Sequence, residues 1–120
     1  MTDTLTQQLA QFTGTENYYQ HPIQLGPRCN YTDGVKYFAE QAQAYWFLDI
    51  VFTELNQLQR DHEFLAVTLQ VTDNQAVINA TNGNDLDDDL WSKKIEFTDC
   101  PDGTYMFFFT NDVFFLRSEY

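Results

Sequence analysis

Hydrophobic positions follow two different periods along the chain. Up to about residue 60 they recur at helical spacing, and from Phe64 onward they alternate. Leu5, Leu9 and Phe12 share one face of a short predicted helix over Thr2 to Phe12, with Thr2 or Thr4 as its cap. Gly14, Pro22, Gly26 and Pro27 punctuate residues 13–31, which read as a loop with at most a short extended piece. The main helix is predicted from about Thr32 to Leu58, with Thr32 or Asp33 accepting from the first free N–H groups. Val35, Phe38, Ala42, Tyr45, Phe52 and Leu55 keep its spacing. Between Ala44 and Phe52 it is apolar nearly all round, which predicts burial; a break near Ala44 or Tyr45 would divide it in two.

Leu65, Val67, Leu69 and Val71 alternate with Ala66, Thr68 and Gln70 as a half-buried strand does. A tight turn at Asp73-Asn74 leads to a second strand, Gln75 to Ala80. Thr81 to Asp89 is a polar, acidic loop, and Trp91, Ile95 and Phe97 mark a third strand. After a turn at Pro101-Asp102-Gly103, Tyr105 to Thr110 and Val113 to Arg117 form a hairpin about Asn111-Asp112. The expectation is one α+β domain over residues 1–120. Its N-terminal helices (about 1–60) would pack on a C-terminal antiparallel sheet of four to five strands (about 64–118).

Composition supports a folded core: 43% of residues are hydrophobic and 17% aromatic, far from the profile of a disordered chain. The charge is one-sided, with 18 acids against 6 bases and a net of -12. Residues 1–60 carry six acids and three bases; residues 61–120 carry twelve and three, so the second half is the acidic one. Such a surface repels nucleic-acid phosphate and anionic membrane, which argues against direct binding to either. A basic nucleic-acid-binding protein or ribonucleoprotein complex is the natural counterpart. Cys29 and Cys100 have no CxxC partner, and the start Met1-Thr2-Asp3-Thr4-Leu5 has no signal-peptide pattern. With no apolar run long enough to cross a bilayer, the expectation is a soluble, cytoplasmic protein with reduced thiols.

Asn84-Asp85-Leu86-Asp87-Asp88-Asp89 concentrates four carboxylates, with Asp73, Asp99, Asp102 and Asp112 in nearby turns. The simple reading is a solvated loop. The sharper one is a surface for a basic groove. In an extended chain Asp85 and Asp89 stand roughly 13 Å apart, a length commensurate with phosphates along a nucleic-acid strand. Asp85, Asp87, Asp89 and Glu96 also match positions one, three, five and twelve of a calcium loop, but Leu90 stands where the turn needs glycine, and strand follows. The last hairpin is apolar on both faces, so either the N-terminal helix or the 13–31 loop covers its outer side, or a partner does. Asp49 falls on the apolar helix stripe, where a kink, or a tyrosine or backbone donor, would satisfy it. His21, His62, Cys29 and Cys100 have no zinc spacing, a Cys–His62 dyad has no specific support, and single scattered glycines form no phosphate loop. Neither an enzyme nor a cofactor or metal is expected.

Thr13-Gly14-Thr15-Glu16-Asn17-Tyr18-Tyr19 and Tyr31-Thr32-Asp33-Gly34-Val35-Lys36-Tyr37-Phe38-Ala39-Glu40, continuing through Ala44 to Asp49, carry a resemblance, as does the ending Leu116-Arg117-Ser118-Glu119-Tyr120. Together they resemble a family of small proteins of bacteria, phages and plasmids defined only as a domain of unknown function. The resemblance implies a setting among mobile genetic elements, where small acidic proteins act as inhibitors of host defence, anti-CRISPR proteins included. It transfers no catalytic residue, and the loop at 84–89 falls outside it. The expected function is stoichiometric inhibition of a basic nucleic-acid-binding complex, carried by Asp85, Asp87, Asp88 and Asp89 with Asp73, Glu96, Asp99 and Asp102. The alternative is a homodimeric accessory protein joined through the Phe-rich hairpin.

Overall fold

The computed structural model describes residues 4–12, 17–22, 24, 28–82 and 90–119. Asp85, Asp87, Asp88 and Asp89, together with Thr2 and Thr13 to Glu16, lie outside the described residues. The chain opens with α1 (Thr4–Leu9), whose Leu5 and Leu9 are buried. Just past its end the Phe12 ring sits 5.2 Å from that of Tyr37. Two three-residue strands follow, β1 (Tyr18–Gln20) and β2 (Asn30–Thr32). Next come α2 (Asp33–Gln41), α3 (Tyr45–Ile50), a π-helical turn (Val51–Leu55) and α4 (Asn56–His62).

Thr32 caps α2 as predicted, its side chain accepting from the Val35 N–H at 3.5 Å. The expected break near Ala44 is present: Gln43 takes a positive φ of 53° and α3 restarts at Tyr45. Within the wide π turn the Thr53 hydroxyl donates to the Asp49 carbonyl at 2.6 Å. Glu63 then stops α4 in the left-handed region.

The strands β3 (Phe64–Thr72), β4 (Gln75–Thr81), β5 (Trp91–Ile95), β6 (Gly103–Thr110) and β7 (Val113–Leu116) complete the sheet. Asp73-Asn74 and Asn111-Asp112 both have positive φ at both positions, the signature of two-residue type I′ hairpins. The sheet is larger than the expected four to five antiparallel strands. It has seven, in the order β1-β2-β7-β6-β3-β4-β5, and it is mixed, because β2 runs parallel to β7. Three-residue strands carry no readable period, yet β2 occupies the outer edge of β7, and the Asn30 N–H donates to the Asp112 carbonyl at 2.9 Å. Nor do helices all come first, since β1 and β2 precede α2. Phe97, expected in the third strand, lies beyond the end of β5.

The helices cover one face. Leu65, Val67, Leu69 and Val71 of β3, Tyr105, Phe107 and Phe109 of β6, and Phe114 and Leu116 of β7 meet Phe38, Phe47 and Phe52 there, all of them buried. Phe38 and Phe107 are edge-on at 5.3 Å, and Phe52 and Phe109 at 5.8 Å. Burial of each such ring contributes about 1.5–3 kcal/mol, and ring pairing adds roughly 0.5–1.5 kcal/mol.

The C-terminal turn (Arg117–Glu119) locks onto α2. Glu119 Oε1 accepts from Thr32 Oγ1 at 2.6 Å and from the Leu116 N–H at 2.9 Å, and Oε2 accepts from the Gly34 N–H at 3.2 Å. A carboxylate at a helix N-terminus is stabilised by the exposed N–H groups and the dipole. Gly34 makes room for it: a Cβ there would stand 2.5 Å from Leu116 Cδ1 and 2.7 Å from Glu119 Oε1. Gly34→Ala is therefore expected to destabilise the protein by about 1–3 kcal/mol despite alanine's better helix propensity. Denaturant unfolding checks this, and an unchanged midpoint would show that the C-terminal turn does not press on α2.

Candidate functional site

The described carboxylates singled out from sequence gather at one end of the sheet. Asp73 occupies the β3–β4 turn, and Glu96, Asp99 and Asp102 lie on the connection from β5 to β6. That connection crosses the sheet end over the β3–β4 turn, because β4 and β3 stand between β5 and β6. The Thr98 N–H donates to the Asn74 carbonyl at 2.9 Å, and Asn74 Nδ2 donates to the Thr98 carbonyl at 3.0 Å. All four carboxylate side chains are exposed. Phe97, on the same connection, is 68% exposed, the largest exposure among the described large hydrophobic residues. An apolar ring within an anionic surround has the anatomy of an interface anchor and its polar rim.

The remaining four candidates, Asp85, Asp87, Asp88 and Asp89, are outside the described residues, and the described residues on either side of them mark the other end. Asn82 and Leu90 flank the segment 83–89 at the end of β4 and the start of β5, where Ala66 pairs with Thr81 and Ala80 with Trp91. Asp73 is at the opposite end of those strands. Glu96, the twelfth position of the calcium pattern, is thus a full strand away from that segment's anchors, and no group of three metal-ligating side chains exists among the described residues.

The second surface is the sheet face opposite the helices. Strand alternation places Tyr18, Thr32, Val113, Phe115, Phe108, Met106 and Phe64 there. Phe64 and Phe108 lie 5.1 Å apart, and Phe108 and Phe115 5.9 Å. Tyr18 is 57% and Met106 41% exposed. Toward β4 and β5 the same face turns polar, through Thr68, Gln70, Asn79, Ser92 and Lys94. Of the two covers expected for the hairpin, α1 packs instead among the helices and β6, its Leu5 and Leu9 joining the main core. In a shallow cavity of about 320 Å³ at the β1–β2–β7 corner, the lining is Tyr18, Thr32, Val113, Phe115, Glu119 and the Thr110-Asn111 turn.

The thiols are structural. Cys29 is fully buried, its Sγ 2.5 Å from Asn56 Oδ1, and burial first, then nearby Asp112, pushes it up to about 12. Cys100 is buried and pushed up to about 11 by burial. His62 is exposed at the end of α4. Asp49 is held by His21 Nε2 at 2.5 Å, a partner 28 residues away that the helical pattern could not reveal. The His21 ring stacks on Phe52 at 5.8 Å, and its buried Nδ1 has no hydrogen-bond partner among the described residues. Asp112 ties three elements together: Arg60 grips both its oxygens, at 3.1 and 2.5 Å, and Gln59 donates at 2.7 Å. Burial opposes its charged form, but the Arg60 and Gln59 hydrogen bonds outweigh that and hold its carboxyl below the usual value of 3.8. No helix among the described residues is long and apolar enough to cross a membrane.

The chain belongs to the family of unknown function DUF6876, which it matches over residues 3–120. No curated protein and no solved structure matches it.

Two outcomes follow from the buried network. In the native protein neither cysteine is expected to react with Ellman's reagent at pH 8, and both should react once guanidinium unfolds the chain; rapid native labelling would contradict the burial. The Asp112 carboxyl has a lowered folded pKa, so its stabilisation is present above its ordinary value of 3.8 and is lost as pH falls through the folded value. Asp112→Asn should cost about 1 kcal/mol at neutral pH and flatten the acid limb of the stability–pH curve. An acid limb identical to that of the unsubstituted protein would assign acid unfolding to other groups.

Proposed function

We propose, from a family that carries no assigned activity, that this chain is an acidic, non-enzymatic binding protein of a phage or other mobile genetic element. It inhibits a basic, nucleic-acid-binding complex of host defence, with an anti-CRISPR role as the specific form. Its carboxylates occupy the lysine and arginine sites that otherwise hold phosphate. The observation that carries this reading is the sheet end where Phe97 stands out among Asp73, Glu96, Asp99 and Asp102. Exposed ion pairs contribute only about 0–1 kcal/mol each, so charge alone makes a weak complex. An exposed ring supplies the desolvated contact, while the surrounding carboxylates steer encounter and set the register. Asp85, Asp87, Asp88 and Asp89 add negative charge in the same half of the sequence.

A second reading rests on a different observation, the exposed Tyr18 and Met106 on the sheet face away from the helices. There a second copy of the chain would pack against the first, as an accessory homodimer.

The test separates the two. Tagged protein is used to capture partners from host lysate at low and high salt. Capture of a basic nucleic-acid-binding complex is expected at low salt and should weaken as salt rises. Replacing Asp73, Asp99 and Asp102 together by lysine should abolish it, Phe97→Ala should weaken it at least tenfold, and both variants should keep the native circular dichroism. Undiminished capture by the triple variant would remove this end of the sheet from the mechanism. A salt-insensitive dimer in sedimentation, without a captured partner, would replace this reading with the second.

A further inference from the structure

We infer that the corner cavity between β1 and β7 is a receptor for one arginine side chain of the partner protein. The inference rests on the reading of a basic partner and adds a second, separate contact on the other edge of the sheet. The cavity has three properties that a guanidinium requires. It is walled by Tyr18 and Phe115, on the sheet face away from the helices. The Tyr18 ring is 57% exposed and so open to a planar cation. Arginine stacks on such faces, an attraction of about 0.5–2 kcal/mol.

The cavity also carries a charge that no base among the described residues balances. Glu119 lines it and makes no ion pair among the described residues. A carboxylate offers about four acceptor positions. Glu119 commits two on Oε1, to Thr32 Oγ1 and the Leu116 N–H, and one on Oε2, to the Gly34 N–H. An acceptor position on Oε2 is left for an incoming N–H. The full negative charge of Glu119 exceeds the roughly half positive charge of a helix N-terminus, so the local field favours a cation. The Asn111 and Thr110 positions at the rim add polar partners for the remaining guanidinium N–H groups.

The volume agrees with the assignment. About 320 Å³ is at the low end for small-ligand pockets, enough for one long side chain entering from a docked surface and small for a whole cofactor. Free arginine has the same guanidinium but also brings a charged α-ammonium and α-carboxylate, whose desolvation opposes entry; a residue within a chain carries neither. The structure therefore assigns the site to arginine within a chain.

Backbone-amide NMR of the full protein tests this without knowledge of the partner. The probes are N-acetyl-arginine methylamide, free arginine and N-acetyl-norleucine methylamide. The blocked arginine is expected to bind with millimolar affinity and to shift Tyr18, Thr32, Thr110, Asn111 and Glu119. Free arginine should bind several-fold more weakly, and the norleucine compound should leave those signals in place. Tyr18→Ala should weaken binding roughly threefold to tenfold, and Tyr18→Phe should restore it. Glu119→Gln, which removes the charge and puts a donating NH2 where one acceptor oxygen stood, should weaken it by a similar factor while circular dichroism shows the fold kept. Shifts centred on Asp73, Asp99 and Asp102 instead, or equal affinity in Tyr18→Ala, would overturn the site while leaving the proposed function intact. If the triple lysine variant loses partner capture but the NMR pattern holds, the receptor stands and the sheet end is confirmed as an independent contact.

Discussion

The sheet has two faces and the helices cover one. This constraint shapes the rest of the molecule. Along β3, Leu65, Val67, Leu69 and Val71 turn inward to the helices while Ala66, Thr68 and Gln70 turn outward. If every outward position were polar, the open face would be an ordinary solvated surface. On β3, β4 and β5 it largely is. On β6, β7 and β1 it is not, because Met106, Phe108, Phe115 and Tyr18 face the same way. The outer face is thus divided across its width into a polar half and an aromatic half. The corner cavity lies in the aromatic half, beside the strand pair that joins the two ends of the chain.

That joining depends on a few polar groups. β2 and β7 meet over only two register pairs, Asn30 with Val113 and Tyr31 with Phe114. A contact so short needs support at both ends. Asp112 supplies it at one end, held by Arg60 and Gln59 of α4 while its own carbonyl accepts from Asn30. Glu119 supplies it at the other, bridging the end of β7 to the start of α2. The Asp112 carboxylate is spent on structure, and Glu119 keeps only one acceptor position beyond its three bonds within the fold. A tally of acidic residues therefore overstates the charge that is free to meet a partner.

How much of this was legible in the sequence depended on range. The two hairpin turns could be read because Asp73-Asn74 and Asn111-Asp112 are short-range chemistry: asparagine and aspartate tolerate the positive φ that a two-residue turn needs. The Thr32 cap and the helix break near Ala44 were readable for the same reason. β1, β2 and their parallel seat on β7 were not, since three residues cannot show a period and the partner lies some eighty residues away. The helical stripe marked Asp49 as a residue needing a partner but could not name His21. Phe97 looked like the end of an alternating strand. What removes it is the reciprocal bonding of Asn74 and Thr98, which pulls the chain off the sheet across its end. The candidate carboxylates were found by counting; that Asp73 and Asp99 share one end, with Asn82 and Leu90 at the other, follows only from strand directions.

The separation matters for energetics. Nine residues of β3 hold the two sheet ends apart by roughly 27 Å, several times the Debye length of about 8 Å at physiological ionic strength. Charge at one end is then largely screened from charge at the other, and each end bears only its own local cost. Three of the six bases are already committed, Lys36 to Glu40, Arg60 to Asp112 and Lys93 to Glu54. None of these reaches Asp73, Glu96, Asp99 or Asp102. The fold thus neutralises acids where it needs them, and among the described residues the carboxylates of the sheet end have no ion pair around the exposed ring. A surface built only for solubility has no need of Phe97, and a surface built only for apolar docking has no need of the carboxylates beside it. Their coincidence is what a cationic partner surface with an apolar recess would complement.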